Sequence, residues 1–168
     1  MKGFQFKIDG DWAHFKKPET NNNPLSHDLI PKTALIGMIG AVLGIEREKM
    51  KSLFPQLSED LLYGVELLKP VKKTSCGFTS HTAINPTAIK SPKAFEMLRD
   101  VSYKVCVGLY GERSQSIFYE FQKAILEGYA VYDPYLGIAN CPAELTFISQ
   151  GEFTMMGNGD FKTKGFVI

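Results

Sequence analysis

Between Gly10 and Pro18 the chain reads GDWAHFKKP, which sets His14, Lys16 and Lys17 among two aromatic rings. Cations at a strand end suit a phosphate, and phosphate contacts position RNA without reading its sequence. The same residues also suit a solvated lysine pair beside a buried corner of Trp12 and Phe15. Lys32 and Thr33 stand where a helix is expected to begin. A helix N-terminus offers N–H groups and a positive dipole end to a phosphate; plain capping is the simpler role for Thr33. A third group, Lys72, Lys73, Phe78, Thr79, Ser80 and His81, lies in a polar, basic stretch from 72 to 100. There lysines could neutralise phosphates, hydroxyls reach sugars and Phe78 stack on a base. An exposed polar loop is the plainer reading of that stretch.

Cutting RNA without a metal requires a base for the 2′-hydroxyl and an acid for the leaving group. His81 is the candidate base, with Lys72, Lys73 or Tyr103 in support. No Gly-Lys-Ser/Thr follows a glycine loop, so this is not a Walker-type phosphate loop. No group of His, Cys and carboxylates has ligand spacing, so neither a metal nor a cofactor is expected. Three scattered cysteines, Cys76, Cys106 and Cys141, point to a reducing, cytoplasmic setting. The net charge is only +1, whereas a free nucleic-acid binder is usually more basic. Any cations that hold RNA must therefore be clustered, or partners must supply charge. Met1-Lys2-Gly3 leads straight into a strand pattern, so no signal peptide is expected. The apolar run from Thr33 to Ile45 is shorter than the roughly 20 residues that span a bilayer.

These residues need elements to hold them. With 44% hydrophobic and 22% charged residues, the 168-residue chain reads as one globular domain. Alternation predicts strands over Lys2–Ile8, Tyr63–Val71, Val101–Tyr110 and Ala143–Ile148. Helical spacing predicts Thr33–Met50, capped by Thr33 and closed by the charged run Glu46 to Lys49, and Ser114–Glu127, ended by Gly128. Leu57–Leu62 extends the first helix or forms a short one after Pro55. Gly37, Gly40 and Gly44 fall on one helical face, which predicts a sheet or another backbone packed close there. A tight corner is expected at Tyr135–Gly137 and a weakly patterned tail after 150. The order strand–helix–strand–strand–helix–strand is that of an α+β, ferredoxin-like (RRM-like) βαββαβ domain over 1–150. Both helices then cover one face of the sheet, and the other is free for RNA.

With the elements placed, the residues resemble a known family. GDWAHFKKP, followed by IPKTALIGMIGAVLGIEREKM over 30–50, is similar to the N-terminal signature of the CRISPR-associated Cas-five proteins, of the RAMP superfamily. PYLGIANCPAEL over 134–145 is similar to the family's later corner and strand, with the flavour of the type I-B branch. The resemblance implies a non-catalytic subunit of a Cascade surveillance complex that grips the 5′ handle of the CRISPR RNA. Its implied partners are the backbone subunit (Cas-seven), the large subunit, the processing endoribonuclease (Cas-six) and, indirectly, target DNA. Lys16 matches the motif's cation, and the insertion from Lys72 to Asp100 corresponds to a thumb-like hairpin. The chain is shorter than the family leads one to expect, which implies a reduced or absent C-terminal extension. One family branch cuts precursor RNA with a Tyr and an adjacent Lys-His pair, and this chain has no Lys-His dipeptide. Endoribonuclease activity centred on His81 and a pure protein-assembly module remain the alternatives.

Overall fold

The computed structural model describes residues 1–81, 90–154, 157, 159, 160, 162, 163 and 165–167. Strand β1 (Lys2–Ala13) is followed by helices α1 (Lys32–Leu43) and α2 (Arg47–Asp60). Then come β2 (Leu61–Leu67), β3 (Lys72–His81) and the long β4 (Lys90–Leu109). A 3-10 turn (Glu112–Ser114), α3 (Gln115–Glu127), β5 (Glu144–Glu152) and β6 (Phe166–Val167) complete the chain. The sheet order is β5-β1-β4-β2-β6, with β3 also paired to β4. Every pairing is antiparallel.

Period-two patterning sets the layers. Phe4, Phe6 and Ile8 of β1 and Val101, Tyr103, Val105 and Val107 of β4 are buried toward the helices. The rings of Phe4 and Phe6 meet Phe118 and Phe121 of α3 at 5.4 and 5.7 Å. Leu35, Ile36 and Ile39 of α1 share this core.

The expected helix over Thr33–Met50 is two helices. Gly44 takes a left-handed conformation (φ 67°), and Ile45 N–H donates back to Gly40 O at 2.8 Å, which stops α1. The charged run that was expected to close α1 instead starts α2, which continues through the exposed Pro55 to Asp60. Thr33 is not a cap: Pro31 occupies that position, and Thr33 is exposed inside the first turn. Nor do the three glycines form one packing face. A Cβ on Gly37 would meet nothing, Gly40 faces the Met50 side chain, and Gly44 faces Val131. The expected corner does hold a constraint: Gly137 sits at φ 91° with the carbonyl of His14 where a side chain would be.

Two expectations about the sheet are also corrected. The strand β5 runs on to Glu152, and β6 pairs with β2, so the chain after 150 joins the sheet. The face away from the helices is not free over its centre. Gln5, Gly64, Glu66, Lys104 and Cys106 floor a cavity of about 420 Å³ that is walled by Phe153, Thr154, Thr163 and Gly165. Phe153 lies over the paired glycines Gly3 and Gly108, where a side chain on either would collide with its ring. None of the β1, β2 and β4 residues that floor this cavity is aromatic, so the cavity floor offers no ring to stack a base.

Helix α2 is tied to the 3-10 turn ahead of α3 through Asp60, which is 3% exposed. Its carboxylate accepts from Arg113 Nη2 at 2.5 Å and Ser114 Oγ at 3.0 Å, and its carbonyl accepts from Tyr110 N–H at 2.8 Å. Burial pushes the Asp60 carboxyl up, but the hydrogen bonds and charge of Arg113 and Ser114 outweigh it and hold it below the usual range. A carboxyl lowered in the folded state stabilises the protein above its unfolded pKa of about 4, and that contribution fades as pH falls below it. Replacing Asp60 with Ala should therefore cost about 2–3 kcal/mol in urea unfolding at pH 7. The gap to the unsubstituted protein should shrink on titration below about pH 4.

Candidate nucleic-acid interface

The loop after β1 folds back on itself because Phe15 is buried. Phe15 N–H donates to Ser26 Oγ at 3.0 Å, and His27 N–H to Phe15 O at 2.8 Å. The stretch from 72 to 100 is mostly a two-stranded stem, in which β3 pairs with the first half of β4 from Lys72↔Arg99 to His81↔Lys90. Asp100, at φ 51°, separates this stem from the half of β4 that pairs with β2. Aspartate tolerates that left-handed conformation better than most residues do.

Loop and stem are bolted together through Glu96. Glu96 N–H donates to Pro24 O at 2.9 Å, and its carboxylate accepts Ser26 N–H at 3.1 Å and pairs with Lys73 at 3.2 Å. His14 Nδ1 contacts the Glu96 carbonyl at 2.8 Å. Two buried tyrosines fix the rest of the loop: Tyr103 donates to Asp28 O at 2.9 Å, and Tyr63 donates to Ile30 O. Burial raises both phenol pKa values, so these hydroxyls stay protonated donors.

Between this assembly and the start of α1 lies a cavity of about 460 Å³. Leu29, Ile30, Pro31, Tyr63 and Val65 supply apolar wall, and Lys17, Lys32, Lys73, His27 and the carboxylate-bearing Asp28 supply the polar edge. Three of the expected RNA-binding lysines, far apart in sequence, thus meet at one cavity. Lys32 Nζ donates to Ser58 O at 2.7 Å, and desolvation lowers its pKa. Lys73 pairs with Asp28 at 2.7 Å, and that hydrogen bond leads the causes that raise its pKa.

The other expected residues are placed differently. His14 is 2% exposed, so its ring is a core group and not a surface clamp; its Nε2 has no partner among the described residues. Lys16 is exposed outside the cavity, and Thr33 is exposed on α1. Lys72 faces Asp100 at 3.6 Å, across from Lys69. Phe78 is 40% exposed, with its ring 5.1 Å from that of Phe95, and Thr79 is exposed. Ser80 and His81 pair through their backbones with Ser91 and Lys90. Phe95 is partly buried against His14, its ring 5.2 Å from the imidazole. Trp12 is not a buried corner: it stands half-exposed beneath the Arg99 guanidinium at 5.6 Å. Glu96, Asp28 and Tyr63 were not foreseen, because single polar residues in a strand or loop carry no spacing signal. Among the described residues no cluster could hold a metal ion, and no helix is long and apolar enough to cross a membrane.

An antiparallel sheet backed by three helices, with a cation-bearing hairpin stem on its central strand, defines an α+β protein built around one long strand. Residues 3–150 match the family model for CRISPR-associated protein (Cas5), and the chain belongs to that family. A chain of a structure described as a CRISPR RNA-guided surveillance complex is similar at 17% identity and TM-score 0.61, over 82% of this chain and 58% of that one. A CRISPR-associated protein crystal structure aligns at 15% identity and TM-score 0.54, over 89% of this chain and 69% of that one. A Cas protein crystal structure aligns at 16% identity and TM-score 0.54, over 82% and 57%. The chain thus spans 58% of the length of the surveillance-complex subunit it matches. No curated protein sequence matches it.

Because the Glu96 carboxylate ties the loop at Ser26 to Lys73 and the stem, Glu96→Ala should cost about 1–2 kcal/mol. Amide hydrogen exchange should show Ser26 losing protection more than the strand pairs of β1 and β5.

Proposed function

We propose that this chain is a non-catalytic RNA-binding subunit of a type I CRISPR surveillance complex. In this reading it holds the 5′ handle of the CRISPR RNA, in a type I-B-like, cytoplasmic setting. The backbone (Cas-seven) and large subunits, and the processing endoribonuclease (Cas-six), are its proposed neighbours, and target DNA is reached only through them. Its core is proposed to be ferredoxin-like, a reading supported by the order β5-β1-β4-β2 with a helical crossover before β2 and before β5.

The observation that carries the proposal is the meeting of Lys17, Lys32 and Lys73 at one apolar-walled cavity beside the hairpin stem. Ammonium groups there would neutralise successive phosphates while the apolar wall shields a base. The similar surveillance-complex chain gives the setting in which such a site would work. Cutting is the weaker reading: Tyr103 is buried and already donates to Asp28 O, so its hydroxyl is not placed to reach a 2′-hydroxyl.

The test is incubation of the protein with its repeat RNA, with and without the complex partners, on native and denaturing gels. Intact RNA with a shift that strengthens with partners is expected; cleavage by the protein alone would overturn the proposal. In filter binding against NaCl, the Lys17→Ala, Lys32→Ala, Lys73→Ala triple variant should lose about 2 from the log–log salt slope, at roughly 0.7 per phosphate contact on a single strand.

A further inference from the structure

The segment after α3 turns its rings outward. With Leu126 at the end of α3, Tyr129, Val131, Tyr132 and Tyr135 are all large apolar or aromatic residues at the surface, and Tyr129 is 61% exposed. The backbone beneath them is held: Val131 N–H donates to Val42 O and Tyr132 N–H to Ala41 O, each at 3.0 Å. Gly128, at φ 65°, makes the turn that releases the chain from α3. Rings on a fixed backbone lose little freedom when a partner arrives.

Beside Tyr129 an apolar slot of about 160 Å³ opens between α3 and β5, lined by Ile125, Ala130, Pro134 and Leu145. It has room for one aliphatic or guanidinium side chain. The charges along α3 and the segment after it are mostly acidic: Glu120, Glu127 and Asp133 are exposed, against Lys123, which lies 3.8 Å from Glu127. An acidic, tyrosine-bearing surface repels a phosphate backbone. It attracts cations, which gain both from the carboxylates and from the faces of the rings.

We propose that this surface docks a cationic segment of a partner protein, an arginine- or lysine-bearing stretch that puts one side chain in the slot beside Tyr129. Tyrosine is among the residues that carry most of the energy in protein interfaces. The proposal stands on different residues from the lysine-lined cavity and does not depend on it.

The experiment uses the isotope-labelled full chain and a short peptide repeating Arg-Leu-Gly, with one repeating Glu-Leu-Gly as control. Amide resonances of Gly128, Tyr129, Tyr132 and Leu145 should move with the arginine peptide and stay still with the glutamate peptide. The Tyr132→Ser, Asp133→Asn variant changes only exposed side chains, and it should weaken the peptide about tenfold. An absence of shifts, or an equal response to both peptides, would overturn the proposal. So would movement of the same resonances by an oligouridylate, which would make the surface an RNA site. Concentration-dependent sedimentation that this variant abolishes would overturn it in favour of a second copy of this chain, whose hairpin is also cationic.

Discussion

Strand β4 satisfies its backbone hydrogen bonds against three other strands, and the position of every other element follows from how it does so. On one side β1 accompanies it from Gly3↔Gly108 to Ala13↔Leu98. On the other side β2 takes the half after Asp100, and β3 the half before it. A single left-handed residue at Asp100 lets one strand serve both the sheet and the stem. The carboxylate of Asp100 is in turn held by Lys69 at 2.5 Å. What reads in sequence as a polar excursion is therefore a continuation of the sheet's central strand, anchored at its root by Glu96.

The near-zero net charge conceals a separation. Between 72 and 99 stand Lys72, Lys73, Lys90, Lys93 and Arg99 against one carboxylate, Glu96. Between 120 and 144 the balance reverses. The lysines at the cavity are not idle in the absence of a ligand: Lys73 is shared by Asp28 and Glu96, and Lys32 is bound to Ser58 O. A phosphate would have to compete with these partners, which tempers affinity. It also means the site is already organised, because the groups that hold the lysines also hold the loop.

Much of the framework was legible because burial on one face imposes a period on the residues themselves. The alternation from Val101 to Leu109 marked β4's inner half, and the spacing of Phe118, Phe121, Ala124 and Ile125 marked α3. Family membership was legible in the GDWAHFKKP strand end and the glycine-bearing helix that follows it. Boundaries were less so. The break at Gly44 was hidden by apolar residues on both sides, and Ser114, which does stand at the start of α3, gives its hydroxyl to Asp60 and not to the helix.

The sequence by itself determined where the core strands and the helical regions lie, and that its cations fall into a few groups, because periodicity and composition are local properties. Only the tertiary structure decided that Lys17, Lys32 and Lys73 share one cavity while His14 is buried against Phe95. It also decided that the open sheet face lies partly under Phe153. Those outcomes depend on pairings between residues tens of positions apart. Whether a polar side chain faces solvent or core follows from which partner covers it, and no spacing along the chain records that.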